Sequence, residues 1–270
     1  MTVEYSSVTC KTALSLSSLP GLTYSLNPYV GCEHGCAYCY SPSVLKDKQL
    51  SERWGQFVRA KSNIAEVLTK EVKQRQKAMV GMSTVTDPYQ PIEAKLELTR
   101  KCIEVLAKHD FPVSIQTKSS LVSRDADLIK PGRFELGMTL TTMNRELANL
   151  LEPMASPPDA RAQTIEEFSK SGVETWIFLG PIIPRINDDT EGMKEIIKLA
   201  ARTKSKIIYD RLNLKQWIMD RLGPKLELRN PGLAKQLPEI LKEQGVSWKL
   251  TSQTIQMACK QFGVKCEPAF

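Results

Sequence analysis

Asn27-Pro28-Tyr29-Val30-Gly31-Cys32-Glu33-His34-Gly35-Cys36-Ala37-Tyr38-Cys39-Tyr40 is the stretch on which the reading of this chain turns. Three residues separate its first two cysteines and two separate the last pair, on a loop that contains Gly31 and Gly35. Close-set thiolates of this kind wrap an iron–sulfur cube, and the glycines let the backbone fold tightly around it. Three ligands for four irons leave one iron without a protein ligand, so Cys32, Cys36 and Cys39 are expected to hold an open 4Fe-4S cluster. The competing class is a non-catalytic iron–sulfur or zinc binding module. Structural zinc takes four ligands, usually with a second Cys or His pair, and neither His34 inside the loop nor distant His109 supplies one well.

Outward from the loop, strands and helices alternate. Thr23 to Val30 reads as a strand entering the loop, and Asn63 to Met79 has helical spacing of Ile64, Val67, Leu68 and Val72. The order then runs strand Val80 to Thr86, helix Ile92 to His109, strand Pro112 to Thr117, short helix Arg124 to Lys130, strand Phe134 to Thr141. Asn144 is placed to cap a helix ending at Leu151, and Thr164 to Ser171 reads as helix before Gly172. Val173 to Leu179 is an almost continuously apolar strand, and Glu191 to Thr203 with Lys206 to Tyr209 add one more helix and strand. About six such units predict an α/β chain built as a partial (βα)6 barrel, with functional groups at the C-terminal ends of its strands. Residues 1–22 form an N-terminal segment, 23–211 the barrel and 212–270 a helical C-terminal extension packed on it, which Pro224, Pro231 and Pro238 are expected to break into short pieces.

Length and composition agree with one large core: 270 residues, 41% hydrophobic and 25% charged. The formal charge of +7 favours polyanions, although the basic residues are scattered in mixed stretches that solvated helix faces also explain. The seven cysteines form one tight group plus Cys10, Cys102, Cys259 and Cys266, which is metal-site usage in a reducing compartment rather than a disulfide framework. Cys102 reads as a small buried hydrophobe, and Cys10, Cys259 and Cys266 as unrelated thiols, with a second metal site the alternative. No secretory signal and no run of some 18 apolar residues is visible, so a cytoplasmic protein without a membrane span is expected.

The loop is the hallmark of the radical SAM superfamily, and further stretches resemble its spore photoproduct lyase-like branch. They are Thr86-Asp87-Pro88-Tyr89-Gln90-Pro91-Ile92-Glu93, Thr117-Lys118-Ser119, Leu121-Val122-Ser123-Arg124-Asp125, Glu152-Pro153 with Ser156-Pro157 and Arg161, and Pro181-Ile182-Ile183-Pro184 before Asn187-Asp188. Together they span about Tyr24 to Arg211. The resemblance implies a cluster that reductively cleaves S-adenosylmethionine to methionine and a 5'-deoxyadenosyl radical, which abstracts hydrogen from a substrate. It also implies a reductant such as a ferredoxin or flavodoxin.

The same likeness places cofactor contacts. Lys118 matches the lysine that binds the methionine carboxylate, where an ammonium is a charge-assisted donor. Thr86 and Thr141 are small hydroxyl residues at strand ends, and Asp87 either accepts from the methionine amine or caps the next helix. Tyr38 borders adenine or ribose, and the loop from Pro181 offers backbone and apolar surface to adenine. Glu152 and Arg161 read as an ion pair that positions loops, since radical abstraction needs no paired carboxylates. Tyr38 and Tyr40 match two tyrosines that take part in radical transfer in the lyase, but Thr84 stands where the lyase has its hydrogen-donating cysteine. A hydroxyl cannot return a hydrogen atom as a thiol does, so thymine-dimer lyase activity itself is not expected. Charge and likeness favour nucleic acid over peptide or small molecule as substrate.

Overall fold

A computed structural model describes residues 2–45, 47–242 and 244–269. Two sheets form. The small one pairs β1 (Glu4–Val8) in parallel with β5 (Phe57–Lys61), and β5 in antiparallel with β4 (Tyr29–Val30). The large one runs in the order β11 (Cys266–Pro268), β10 (Lys206–Arg211), β9 (Glu174–Ile182), β8 (Phe134–Thr139), β7 (Val113–Thr117), β6 (Val80–Met82), β3 (Tyr24–Leu26), β2 (Ser15–Leu16). Within this sheet β3, β6, β7, β8, β9 and β10 stand in chain order and each lies parallel to the next, which is the expected (βα)6 array.

Both faces of its central strands are buried, so they read as apolar runs, and Ile115, Leu136, Met138, Ile177, Leu179 and Ile207 are fully enclosed. Gly137 sits directly opposite Trp176 on β9, and a β-carbon there would lie 2.2 Å from the indole ring. The missing side chain is the space the indole occupies. Gly137→Val is therefore expected to lower stability by about 1–3 kcal/mol through forced repacking, read as a lower urea midpoint at an unchanged slope.

Several elements depart from the sequence reading for identifiable reasons. The strand expected from Val80 stops at Met82, because Ser83 takes a left-handed φ of 62°. The helix expected over Ile92 to His109 is two helices, Glu93–Leu96 and Leu98–Lys108, divided at Glu97 (φ 54°). The buried Glu93 carboxylate accepts from the Thr99 and Arg100 amides, capping the second helix. The Arg124 to Lys130 helix is instead a 3-10 helix over Ser120–Asp125. The helix read from Thr164 begins at Pro158, whose ring suits a first helical position. Pro181 lies inside β9 rather than in a following loop; between Leu179 and Ile182 the register against β10 shifts, which accommodates the missing amide donor.

The extension contains helices Gln216–Arg229, Leu233–Lys242 and Gln244–Gln261, and then adds β11 to the sheet edge, so it is not wholly helical. Pro224 and Pro238 lie inside helices instead of ending them; only Pro231 falls between two. An internal proline costs about 3 kcal/mol. Burial of Ile218, Leu222, Leu226, Leu233 and Leu237 on Leu147, Leu151, Ile183 and Ile186 outweighs it, at about 1.5–3 kcal/mol per side chain. That apolar wall also covers Cys36, Ala37 and Tyr38. Among the described residues no helix is long and apolar enough to cross a membrane.

Candidate cluster and cofactor site

Gly31 enters the cysteine loop at φ 85°, and a β-carbon on it would stand 2.4 Å from the Phe57 carbonyl oxygen. Only glycine permits that approach. The Gly31 carbonyl accepts from Thr86 Oγ1 at 2.7 Å, and Gln90 Nε2 donates to the same threonine at 3.1 Å. Gln90 Oε1 accepts from the Glu33 amide at 3.0 Å, while the Glu33 carboxylate takes the Tyr5 hydroxyl at 2.7 Å and the Ile92 amide. Strand β1 and the Thr86 to Glu93 segment thus hold the loop from two sides.

Cys32 and Cys36 are buried and Cys39 is half-buried. The three thiols lie close enough to feel one another's charge. Burial, reinforced by Asp87 and the other two cysteines, pushes the Cys32 thiol well up; burial lifts Cys36 to about 12, with Lys118 pulling the other way. Structural zinc takes four ligands, and the loop supplies three thiols. Thiols set apart along one loop fit a cube, whose irons each take a separate thiolate.

Asp87 is buried with both oxygens engaged: Oδ1 accepts from the Tyr89 amide (2.9 Å) and Thr117 Oγ1 (2.6 Å), and Oδ2 from the Lys118 amide (2.8 Å) beside His34 Nδ1 (3.3 Å). It neither caps the next helix nor points a free oxygen into the mouth. It ties the β6 and β7 ends to the cysteine loop. Burial alone would raise its carboxyl, but His34, Lys118 and Thr117 hold it well below the usual carboxylate range. The half-buried Lys118 ammonium sits among Cys36, Glu152, Asp87 and Cys39, whose charges outweigh the effect of burial and raise its pKa. Among the described residues it has no ion-pair partner, which leaves its donors for a ligand.

Glu152 and Arg161 are the expected pair, 2.6 Å apart and 0–1% exposed at their side chains. Arg161 also donates to the carbonyls of Ser156 (2.6 Å) and Thr139 (3.0 Å). Thr141 Oγ1 donates to Glu152 Oε1 at 2.7 Å and lies 3.2 Å from the Gly180 carbonyl; the Tyr38 hydroxyl bonds the same carboxylate. Tyr38 therefore turns its hydroxyl inward, onto the ion pair. Asn187 closes this corner by donating to the carbonyls of Thr141 (2.8 Å) and Pro181 (3.0 Å).

Tyr40 is 52% exposed, and its hydroxyl donates to the Thr84 carbonyl at 2.5 Å. The Thr84 hydroxyl instead shares a hydrogen bond with Ser25 Oγ at 2.6 Å. Tyr40 and Thr84 are thus brought together at the mouth, though the threonine faces strand β3. Behind them the Leu121 to Asp125 stretch is structural: Arg124 pairs with buried Glu93 and Asp125, Arg100 with Asp125 and Asp127, and Tyr29 and Tyr89 donate to Glu93 and Asp125.

Two residues near the loop escaped the sequence reading. Arg221 Nη2 donates to the Cys39 carbonyl at 2.7 Å, and Lys225 Nζ donates to the Leu150 carbonyl at 2.6 Å. Both sit in a stretch whose charges look solvated in sequence.

Residues 26–200 match the Radical SAM superfamily model. An uncharacterized protein of Methanocaldococcus jannaschii is 31% identical over 188 residues, 69% of this chain and 70% of its own length. A radical SAM Nalpha-GlyT isomerase of Pseudomonas phage M6 is 28% identical over 185 residues, 67% of this chain and 38% of that one. A spore photoproduct lyase variant solved with AdoMet and dinucleoside spore photoproduct shares the fold at TM-score 0.70 and 17% identity, covering 98% of this chain and 81% of the lyase.

Proposed function

The chain belongs to the radical SAM superfamily, whose cofactors are a 4Fe-4S cluster and S-adenosylmethionine, and from that premise we propose that it abstracts hydrogen from a nucleic-acid substrate. When bound, the cluster supplies the electron that cleaves S-adenosylmethionine and so yields the 5'-deoxyadenosyl radical. Cys32, Cys36 and Cys39 are the residues that would hold the irons. The observation that carries this reading is the unpaired Lys118 ammonium beside those thiols, at the C-terminal end of β7.

Each predicted site residue then has a task. Lys118 binds the methionine carboxylate. Thr86 fixes the Gly31 carbonyl, and Asp87 aims the Lys118 backbone; neither needs to touch the cofactor. Thr141, Tyr38 and Pro181 shape the wall beside Glu152 and Asn187 that faces the adenosine. Tyr40, exposed and tethered to Thr84, meets the substrate. The helical extension keeps water from the thiol loop, which protects a radical from quenching.

The nucleic-acid assignment is supported by the +7 charge and by the dinucleoside bound to the lyase of like fold. With a threonine hydroxyl at position 84 turned to Ser25, this chain lacks the lyase's means of returning hydrogen, so its product differs from a repaired thymine pair. A low-potential one-electron donor of ferredoxin or flavodoxin type is the required partner.

The test is anaerobic iron and sulfide reconstitution, reduction, and addition of S-adenosylmethionine with and without oligonucleotides. Release of 5'-deoxyadenosine and methionine is expected, with oligonucleotide accelerating it; no release from a fully loaded chain sinks the enzymatic reading. Lys118→Met should weaken S-adenosylmethionine binding by about 10- to 100-fold, the worth of one charge-assisted hydrogen bond, in equilibrium binding to the reconstituted protein.

A further inference from the structure

We propose that Arg221 and Lys225 form a cationic clasp over the Cys36 to Cys39 segment, and that Arg221 is a positioning residue that sets the reduction potential of the cluster; this rests on the reading above. The two residues are one turn apart on helix Gln216–Arg229, so their side chains leave the same face. Arg221 holds the Cys39 carbonyl directly. Lys225 holds the Leu150 carbonyl, and the next carbonyl, that of Leu151, accepts from the Ala37 amide at 2.8 Å. One helix thereby grips the ligand-bearing segment at two points.

The guanidinium does more than anchor a carbonyl. Among the described residues its Nε and Nη1 are buried without a hydrogen-bond partner. Donors of a charged group left unpaired inside a protein are costly and call for an acceptor. Burial works against both cations, and the neighbours that oppose it are Cys39, Cys36 and, more weakly, Asp220 for Arg221, and Cys36 for Lys225. The acceptors of matching chemistry are thiolate and sulfide sulfur. Hydrogen bonds to those sulfurs and a fixed positive charge beside them both favour the reduced cluster, which carries one more electron. An arginine serving only to shape the loop would leave that equilibrium unmoved.

The experiment is a dye-mediated redox titration of the reconstituted full chain, followed by electron paramagnetic resonance, for the wild type, R221M, R221K and K225M. R221M is expected to make reduction about tenfold less favourable, a fall of about 59 mV for one electron. R221K, which keeps the charge, should lie close to the wild type. Equal potentials for R221M and the wild type at equal iron content would overturn the proposal. Should R221M retain no iron, loading restored by R221K supports the clasp, and loading not restored overturns it. A wild-type chain with no reducible cluster would instead refute the family-based reading itself, so the two failures are distinguishable.

Discussion

Cys32→Ala, Cys36→Ala and Cys39→Ala are each expected to abolish reductive release of 5'-deoxyadenosine and to bring iron retained after reconstitution down to the level of a chain lacking all three thiols. A cube held by three protein thiolates has no spare ligand, and the neighbouring side chains are committed elsewhere. His34 faces Asp87, both Asp87 oxygens are engaged, and Glu33 is held by Tyr5 and Ile92. Substitution of the other cysteines supplies the contrast. Cys102 is fully enclosed in the barrel core with Cys10 nearby, whereas Cys259 lies beside Cys266 at the sheet edge, so the four thiols fall in two separate places. Removing Cys10, Cys259 and Cys266 together should leave iron per chain unchanged. Iron counted by colorimetry and radical product by chromatography check both arms. Full iron in Cys32→Ala would move the metal to another site.

The second large effect is on folding. Arg161→Met leaves Glu152 charged and buried with its main counter-ion gone, and is expected to cost about 3–5 kcal/mol, measured by urea unfolding of the metal-free chain so that cluster loss does not enter. The double variant Glu152→Gln with Arg161→Met should recover much of the loss, since no orphan charge remains. The pH dependence has a definite sign. Burial would raise the Glu152 carboxyl, but Arg161 and Lys118 outweigh it and hold the group below its ordinary value. Its contribution is therefore full above the unfolded value of about 4.3 and is lost as the pH falls through the lower folded value. The gap between wild type and Arg161→Met should narrow below about pH 4; a gap that widens there would contradict the pair's assigned role.

What could be read in advance was what repeats or clusters. The parallel array follows from apolar runs alternating with amphipathic ones, and Asn144 caps its helix through Leu147 as its position suggests. The Glu152–Arg161 pair was readable from motif likeness. What escaped has no local signature. Strand β1 is Glu-Tyr-Ser-Ser-Val and largely exposed, so no alternation marks it. Strand β11 spans three residues and exists only because β10 offers an edge. Arg161 carries a charge on a buried helix face, which broke the periodicity and hid the first turns of its helix. Asp87 reads in sequence as a carboxylate free to cap a helix or meet the cofactor, because sequence does not show the three donors that hold it. Arg221 lies 182 residues from the carbonyl it holds, a separation no spacing rule reaches.

The helices that cover the thiol loop are made long after the loop itself, and this orders events during synthesis. At 5–20 residues per second, translation from the loop to the end of helix Leu233–Lys242 takes roughly 10–40 s. Throughout that interval the thiols of a nascent chain have no apolar wall over them, and the sheet edge at β10 waits still longer for β11. Metal delivery on the ribosome meets an open loop, whereas a finished chain must first lift its own C-terminal helices.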